Sequence, residues 1–207
     1  MALTHAELAA LHARVMETAV ATVHKVRPAH LEAATPCADW NVGQLLAHMI
    51  AQNDGFAAAA LGEVSDRSMW TPRPVPSDDG AVGKAFEVSA RSLLRAVAED
   101  GSLDRPWVLP DFRPEPFPGS QALGFHLIDY VVHSWDVAVS VGERVEFEPD
   151  VLAAAEAVAK AVPDGSNRQR TGAAFKPALS PGDGGTFDDV LRWLGRDPGW
   201  GQRDVQI

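Results

Sequence analysis

Residues 126–136, HLIDYVVHSWD, decide how this chain is read. They sit inside a longer apolar segment opened by Ser120 and closed by Gly142, residue types suited to starting and stopping a helix, so Ser120 is the expected cap of the helix that carries them. At roughly 100° per residue, His126, Asp129, His133 and Asp136 share a sector about 80° wide. Leu127, Ile128, Tyr130, Val131, Val132, Trp135 and Val137 occupy most of the remaining circumference. A solvated helix carries long polar side chains over nearly half its surface, whereas here only Gln121, at the start, is of that kind. The polar stripe is therefore expected to face the interior or a cleft. Acids and imidazoles in such a place are costly unless they neutralise one another, hydrogen-bond or hold a metal.

Working outward, the other helices follow from caps and periodicity. Thr4 and Glu7 form a capping box ahead of Leu8, Leu11, Val15, Ala19 and Val23, which predicts a first amphipathic helix over residues 4–25. TPCADW (residues 35–40) is a turn, after which Asn41 and Gln44 cap a second helix, with Trp40 placed to staple onto Leu45. Its inner stripe is Leu45, Leu46, Met49, Asn53, Phe56 and Ala60, bordered by His48 and Gln52. Pro72, Pro74 and Pro76 mark a long loop. Ser77, Asp78 and Asp79 then give an acidic start to a third helix that stops near Gly101. A second Pro-rich connection, residues 104–119, leaves room for a short strand or hairpin. Beyond Gly142, a fifth helix is expected over residues 149–162 and a last short one from a Thr186 cap. The pattern predicts a mainly all-α protein: an up-and-down four-helix bundle over residues 1–145, and a smaller C-terminal helical and irregular portion, residues 146–207, packed on it within one domain.

Composition narrows the function classes. With 18 basic against 28 acidic residues and a net charge of -10, a phosphate backbone is repelled, which argues against nucleic-acid binding. The N-terminus lacks a signal-peptide pattern, and no run of roughly 18 apolar residues offers a membrane span, so a cytoplasmic protein is expected. Cys37 is the single cysteine; it is read as inert packing, and any metal must be held by His and carboxylates.

Asp129 and His133 stand one helical turn apart, the spacing at which two side chains of one helix grip a single ion, and His48 is the best third ligand from another helix. Two imidazoles and a carboxylate suit zinc, and also nickel or iron. Other outcomes stay open: His48 as a hydrogen-bonded core histidine, Asp129 with His133 as a buried ion pair, or the whole stripe as a metal-free polar network. Asp136 is expected to anchor structure, hydrogen-bonding either an amide or a ligand imidazole. His126, about one turn before Asp129, is a candidate ligand, support or substrate-facing acid/base. Trp40, Trp135 and Phe56 are most simply core.

Two motifs in this order, TPCADWNVGQLLAHMI (residues 35–50) and LGFHLIDYVVHSWDVAVSVG (residues 123–142), resemble the DinB-like superfamily. The closer likeness is to actinobacterial proteins related to the metal-binding domain of mycothiol-dependent maleylpyruvate isomerase. The segment AAFKPALSPGDGGTFDDVLRWLGRDPGW (residues 173–200) is similar to the ending of proteins in that group, so the likeness covers nearly the whole chain. The resemblance implies a four-helix bundle holding a divalent metal, usually taken as zinc, through His48, Asp129 and His133. Asp129 stands where the isomerase has Glu and many DinB-like proteins have His. It further implies a thiol-dependent transferase or isomerase in which the metal activates mycothiol, a similar small thiol, or water, toward an electrophilic small molecule. His126 would then shuttle a proton, and Arg113, Arg168 or Arg170 would meet an anionic thiol or substrate. The rival class is a non-catalytic metal- or ligand-binding protein, and either class is compatible with a monomer or a homodimer.

Overall fold

The structure is a computed structural model and describes residues 3–37, 40–63, 67–169 and 175–201. These fall into two compact units, Met1–Val145 and Glu146–Ile207. The expectation of a mainly all-α protein holds: among the described residues the only sheet is a two-stranded ribbon of two residues per strand.

In the first unit, α1 (His5–Val23) begins with the predicted capping box. The Glu7 backbone N–H donates to Thr4 Oγ1 at 3.2 Å, and the Thr4 N–H donates to the Glu7 carboxylate at 2.7 Å. Helix α2 (Val42–Leu61) starts the same way: the Gln44 N–H donates to Asn41 Oδ1 at 2.9 Å and the Asn41 N–H to Gln44 Oε1 at 3.0 Å. Each box satisfies two backbone donors that the first helical turn leaves orphaned. Helix α2 ends at Gly62, whose φ of 75° lies in the left-handed region.

Two predicted starts move. Helix α3 (Ala81–Val97) begins after Gly80, at φ 69°, rather than at the acidic Ser77–Asp79 run, because the chain turns through the left-handed region before it coils. Helix α4 (Gly119–Ser140) begins one residue ahead of Ser120, which therefore lies in its first turn and is not the cap. The cause is the ribbon before it. Strands β1 (Pro106–Trp107) and β2 (Phe117–Pro118) pair antiparallel with Trp107 opposite Phe117 and Pro106 opposite Pro118, and this pairing delivers the chain directly into the helix at Pro118.

Helix α1 packs against α3 and α4, and α2 packs against the same two. The core so enclosed includes Met16, Leu45, Leu46, Met49, Phe86, Leu93, Leu123 and Leu127, all essentially inaccessible. Each such side chain contributes about 1.5–3 kcal/mol by leaving water. Polar ties set the register between helices: Tyr130 of α4 donates to the Met49 carbonyl of α2, and Asn53 of α2 donates to Ser89 Oγ of α3 at 2.9 Å. Trp70, in a short 3-10 turn (Arg67–Trp70), lies flat on α2 at Gly55, where an added Cβ would come within 2.5 Å of the indole.

In the second unit, α5 (Pro149–Ala161) and α6 (Thr186–Trp193) pack together, with the Trp193 Nε1–H donating to the Ala159 carbonyl at 2.7 Å. Thr186 is the first helical residue of α6 and Gly185 its cap, one position earlier than expected. No helix among the described residues is long and apolar enough to cross a membrane.

Candidate metal centre

The capping box of α2 fixes the phase of that helix, and with it the direction of His48 in the second turn. The apolar girth of α4 turns its narrow polar stripe inward. The result brings the three expected ligands together: His48, Asp129 and His133 each offer one donor atom, and the three atoms lie within 4.8 Å of one another. His48 Nε2 is 3.9 Å from Asp129 Oδ2, and His133 Nε2 is 3.3 Å from Asp129 Oδ1. The rings of His48 and His133 stand nearly perpendicular, 82° apart in plane, with centroids 5.5 Å apart.

Asp136 takes the supporting position. Its Oδ2 is 2.9 Å from His133 Nδ1, and both side chains are buried, Asp136 completely. A carboxylate on Nδ1 holds a proton there, which leaves Nε2, the nitrogen that faces the Asp129 carboxylate, as the one a metal would take. Two acceptors 3.3 Å apart repel unless a cation or a proton sits between them. Burial pushes the His48 pKa down to about 4, with Asp129 opposing the shift and His133 adding to it, so this imidazole is neutral near pH 7. A pair of neutral imidazoles and one carboxylate is a donor set that fits zinc or a similar divalent ion, and the small spread of the donor atoms fits a single ion rather than two.

The side chains of His48 and Asp129 are about one-fifth exposed, 19% and 20%, against 2% for His133, so the centre is reached from the His48–Asp129 side. Trp40 stands on His48: the ring centroids are 4.6 Å apart and the planes are inclined by 34°. The indole centroid lies 6.4 Å from that of His133. The expectation that Trp40 is plain core is therefore corrected, since it is half-buried and rests on the His48 ring.

His126 shares the α4 stripe but lies outside this cluster. It is buried and turned toward α1, where its Nδ1 is 3.0 Å from Nε2 of the equally buried His12. Tyr130 stacks on His126 at 3.9 Å and Phe56 meets it edge-on at 4.8 Å. Burial lowers the His12 pKa to about 3; burial, with His12 and His48 adding to it, holds His126 well below its ordinary value. The outer nitrogens, His12 Nδ1 and His126 Nε2, have no hydrogen-bond partner among the described residues. Sequence reasoning passes over His12 because its helix looks ordinary; the signal is an imidazole placed four residues after Leu8, on the apolar face between Leu11 and Val15.

The arginines lie elsewhere. Arg113 is exposed, with its guanidinium 3.9 Å above the Phe117 ring. Arg168 belongs to the second unit and donates to the carbonyls of Val162 at 2.8 Å, Pro163 at 3.0 Å and Trp193, a clip on the connection between α5 and α6. Arg170 lies outside the described residues. Cys37 is half-buried, and its carbonyl accepts from Thr35 Oγ1 at 3.0 Å and from the Trp40 N–H at 2.9 Å.

Comparison with known proteins converges on the same architecture. The family model of the mycothiol maleylpyruvate isomerase N-terminal domain matches residues 8–138. Two relatives from strains of Mycobacterium tuberculosis, CDC 1551 / Oshkosh and H37Rv, are both named uncharacterized proteins. Each is 25% identical over 151 residues, covering 73% of this chain and 76% of the relative. A crystal structure of mycothiol-dependent maleylpyruvate isomerase superposes with a TM-score of 0.63 at 16% identity, covering 94% of this chain and 90% of that one. A crystal structure of a histidine-to-alanine mutant of that isomerase gives 0.62 at 16% identity, covering 81% and 72%. These superpositions show a shared DinB-like fold. Since the matched span runs from within α1 to near the end of α4 and contains His48, Asp129 and His133, the chain belongs to the mycothiol maleylpyruvate isomerase N-terminal domain family.

Proposed function

We propose that this protein binds one divalent metal, zinc in the first instance, through His48, Asp129 and His133, and that it catalyses transfer or isomerisation of a small electrophile with a low-molecular-weight thiol of the mycothiol type. The observation that carries this reading is the convergence of three donor atoms within 4.8 Å, from two helices, with His133 Nε2 3.3 Å from Asp129 Oδ1. Membership of the family, whose name records mycothiol and maleylpyruvate, supports the thiol class.

When bound, the metal supplies a Lewis acid that lowers the pKa of a thiol or water and presents the thiolate or hydroxide as nucleophile. The chain's own residues account for the rest. His48 and His133 would hold the metal through their Nε2 atoms, and Asp129 would cancel half of a divalent charge, which would leave net positive charge for an anionic sulfur. Asp136 keeps the His133 proton on Nδ1 and its ring oriented. The exposed side, toward His48 and Asp129, admits a small molecule, while the deep position of His133 excludes water from the far side. His126 faces His12, so this reading gives it no proton transfer at the centre. Of the two candidate arginines among the described residues, exposed Arg113 is the one left to meet an anionic substrate, since the Arg168 guanidinium is committed to backbone carbonyls.

The test has two stages. Protein purified without chelator is expected to carry close to one metal per chain, and His48→Ala and His133→Ala to lose most of it; unchanged metal content in both variants would sink the site. Metal-loaded protein is then assayed with a thiol and a panel of unsaturated electrophiles. No rate above buffer across the panel would leave a metal-binding protein without the proposed catalysis.

A further inference from the structure

The two histidines of the centre are held in different ways. His133 has a buried carboxylate on its outer nitrogen, Asp136 at 2.9 Å. His48 has no hydrogen bond to its Nδ1 among the described residues; what lies against it is the Trp40 indole, 4.6 Å away and inclined by 34°. An imidazole on a helix swings about two side-chain torsions, and a ligand that must point Nε2 at an ion loses affinity when those torsions are loose. Trp40 is itself anchored. Its N–H donates to the Cys37 carbonyl at 2.9 Å, its carbonyl accepts from Thr35 Oγ1 at 2.8 Å, and the next residue, Asn41, opens the capping box of α2. The indole and the His48 ring, eight residues apart, are thus referred to the same helix start.

We infer that Trp40 is the positioning residue of the centre: its aromatic face, in place of a hydrogen bond, fixes the His48 imidazole with Nε2 toward the ion. Stacking holds a neutral ring without drawing on its Nδ1 proton, so His48 is oriented yet electronically less basic than His133, whose Nδ1–H is polarised by a carboxylate. The two imidazoles are therefore unequal ligands. This rests on the metal reading above, and the experiment is chosen to separate the two.

Cobalt(II) is used as the probe on the full chain, with wild type, Trp40→Leu, which keeps apolar bulk, and Trp40→Phe, which keeps a stacking face, each checked for helicity by circular dichroism. Cobalt affinity is read by chelator competition, and ligand geometry by the visible d–d absorption. Trp40→Leu is expected to bind about 10–100-fold more weakly, the range for loss of a group that orients a metal ligand, with a shifted d–d band. Trp40→Phe is expected to stay close to wild type in both. Excitation of wild type should also show indole emission quenched on cobalt addition by an amount that falls in Trp40→Phe. Trp40→Leu matching wild type in affinity and spectrum would overturn the inference while leaving the metal site intact. Wild type that takes up no cobalt would overturn the metal reading itself. Should Trp40→Leu fail to fold, the comparison moves to Trp40→Phe against Trp40→His, where wild-type affinity and spectrum in Phe with weaker binding in His support the inference, and loss in Phe overturns it.

Discussion

At the scale of single residues, two buried pairs, one within α4 and one between α4 and α1, do different work. Asp136 holds the outer nitrogen of His133, so Asp136→Ala is expected to weaken zinc binding by about 10–100-fold, measured by competition with a chromophoric chelator. His12 and His126 form the other pair, away from the ligand cluster, and their pKa values are depressed by burial. A histidine near 6.5 in the unfolded chain and about 3 in the fold, as His12 is, binds more protons when unfolded throughout that window. Stability is therefore fully present above pH 6.5 and falls as the pH is lowered toward 3, by about 1.4 kcal/mol per pH unit for each such group. Urea melts at pH 7.5 and pH 5 should show this loss in wild type and a smaller one in the His12→Leu/His126→Phe double variant, the difference removing the share due to other groups. At this scale the sequence was legible where spacing within one helix carried the signal. Asp129, His133 and Asp136 could be grouped from the i,i+4 and i,i+3 rule, whereas the His12–His126 contact joins helices 114 positions apart and leaves no local trace. Trp40 was hidden for a related reason, because an indole before an apolar helix is the usual hydrophobic staple.

At the scale of elements, the caps decide how well the site is aimed. Removing the Asn41 side chain with Asn41→Ala leaves the Gln44 N–H without its acceptor and should cost about 1 kcal/mol in a denaturant melt. Helix α2 also depends on a missing side chain: Gly55→Ala improves helix propensity by about 1 kcal/mol but drives a Cβ into the Trp70 indole. Overpacking of that kind costs about 1–3 kcal/mol, so net destabilisation is expected, visible as a lowered melting temperature with Trp70 emission shifted to the red as the ring is displaced. The starts of α1 and α2 were readable because both capping partners lie within four residues. The start of α4 was not, since it is set by the pairing of Trp107 with Phe117, ten residues apart in sequence and short enough to escape any periodicity. The same holds for α3, where Gly80, and not the acidic run before it, makes the turn.

At the scale of the molecule, the alternation of amphipathic helices with Pro-rich connections made an all-α architecture legible, because helix faces 100° wide must be buried against one another. That α2 lies beside α4 was legible only as the expectation that His48 joins Asp129 and His133, for the packing itself depends on contacts such as Tyr130 to Met49 that no single helix encodes. On the proposed metal reading, that neighbourhood makes metal and fold interdependent. Free zinc at a hundred times its dissociation constant should stabilise the protein by about 2.7 kcal/mol, or roughly 5–10 °C in melting temperature for a chain of this length, and a chelator should reverse it. His48 comes together with Asp129 and His133 only once α2 and α4 have docked, so an ion among them is a clasp on a long loop. A clasp fastened after docking contributes nothing to the folding barrier and everything to the barrier for release. Metal supply would then set the lifetime of the native state more than the speed of reaching it, and withdrawal of the ion would start a clock on the bundle.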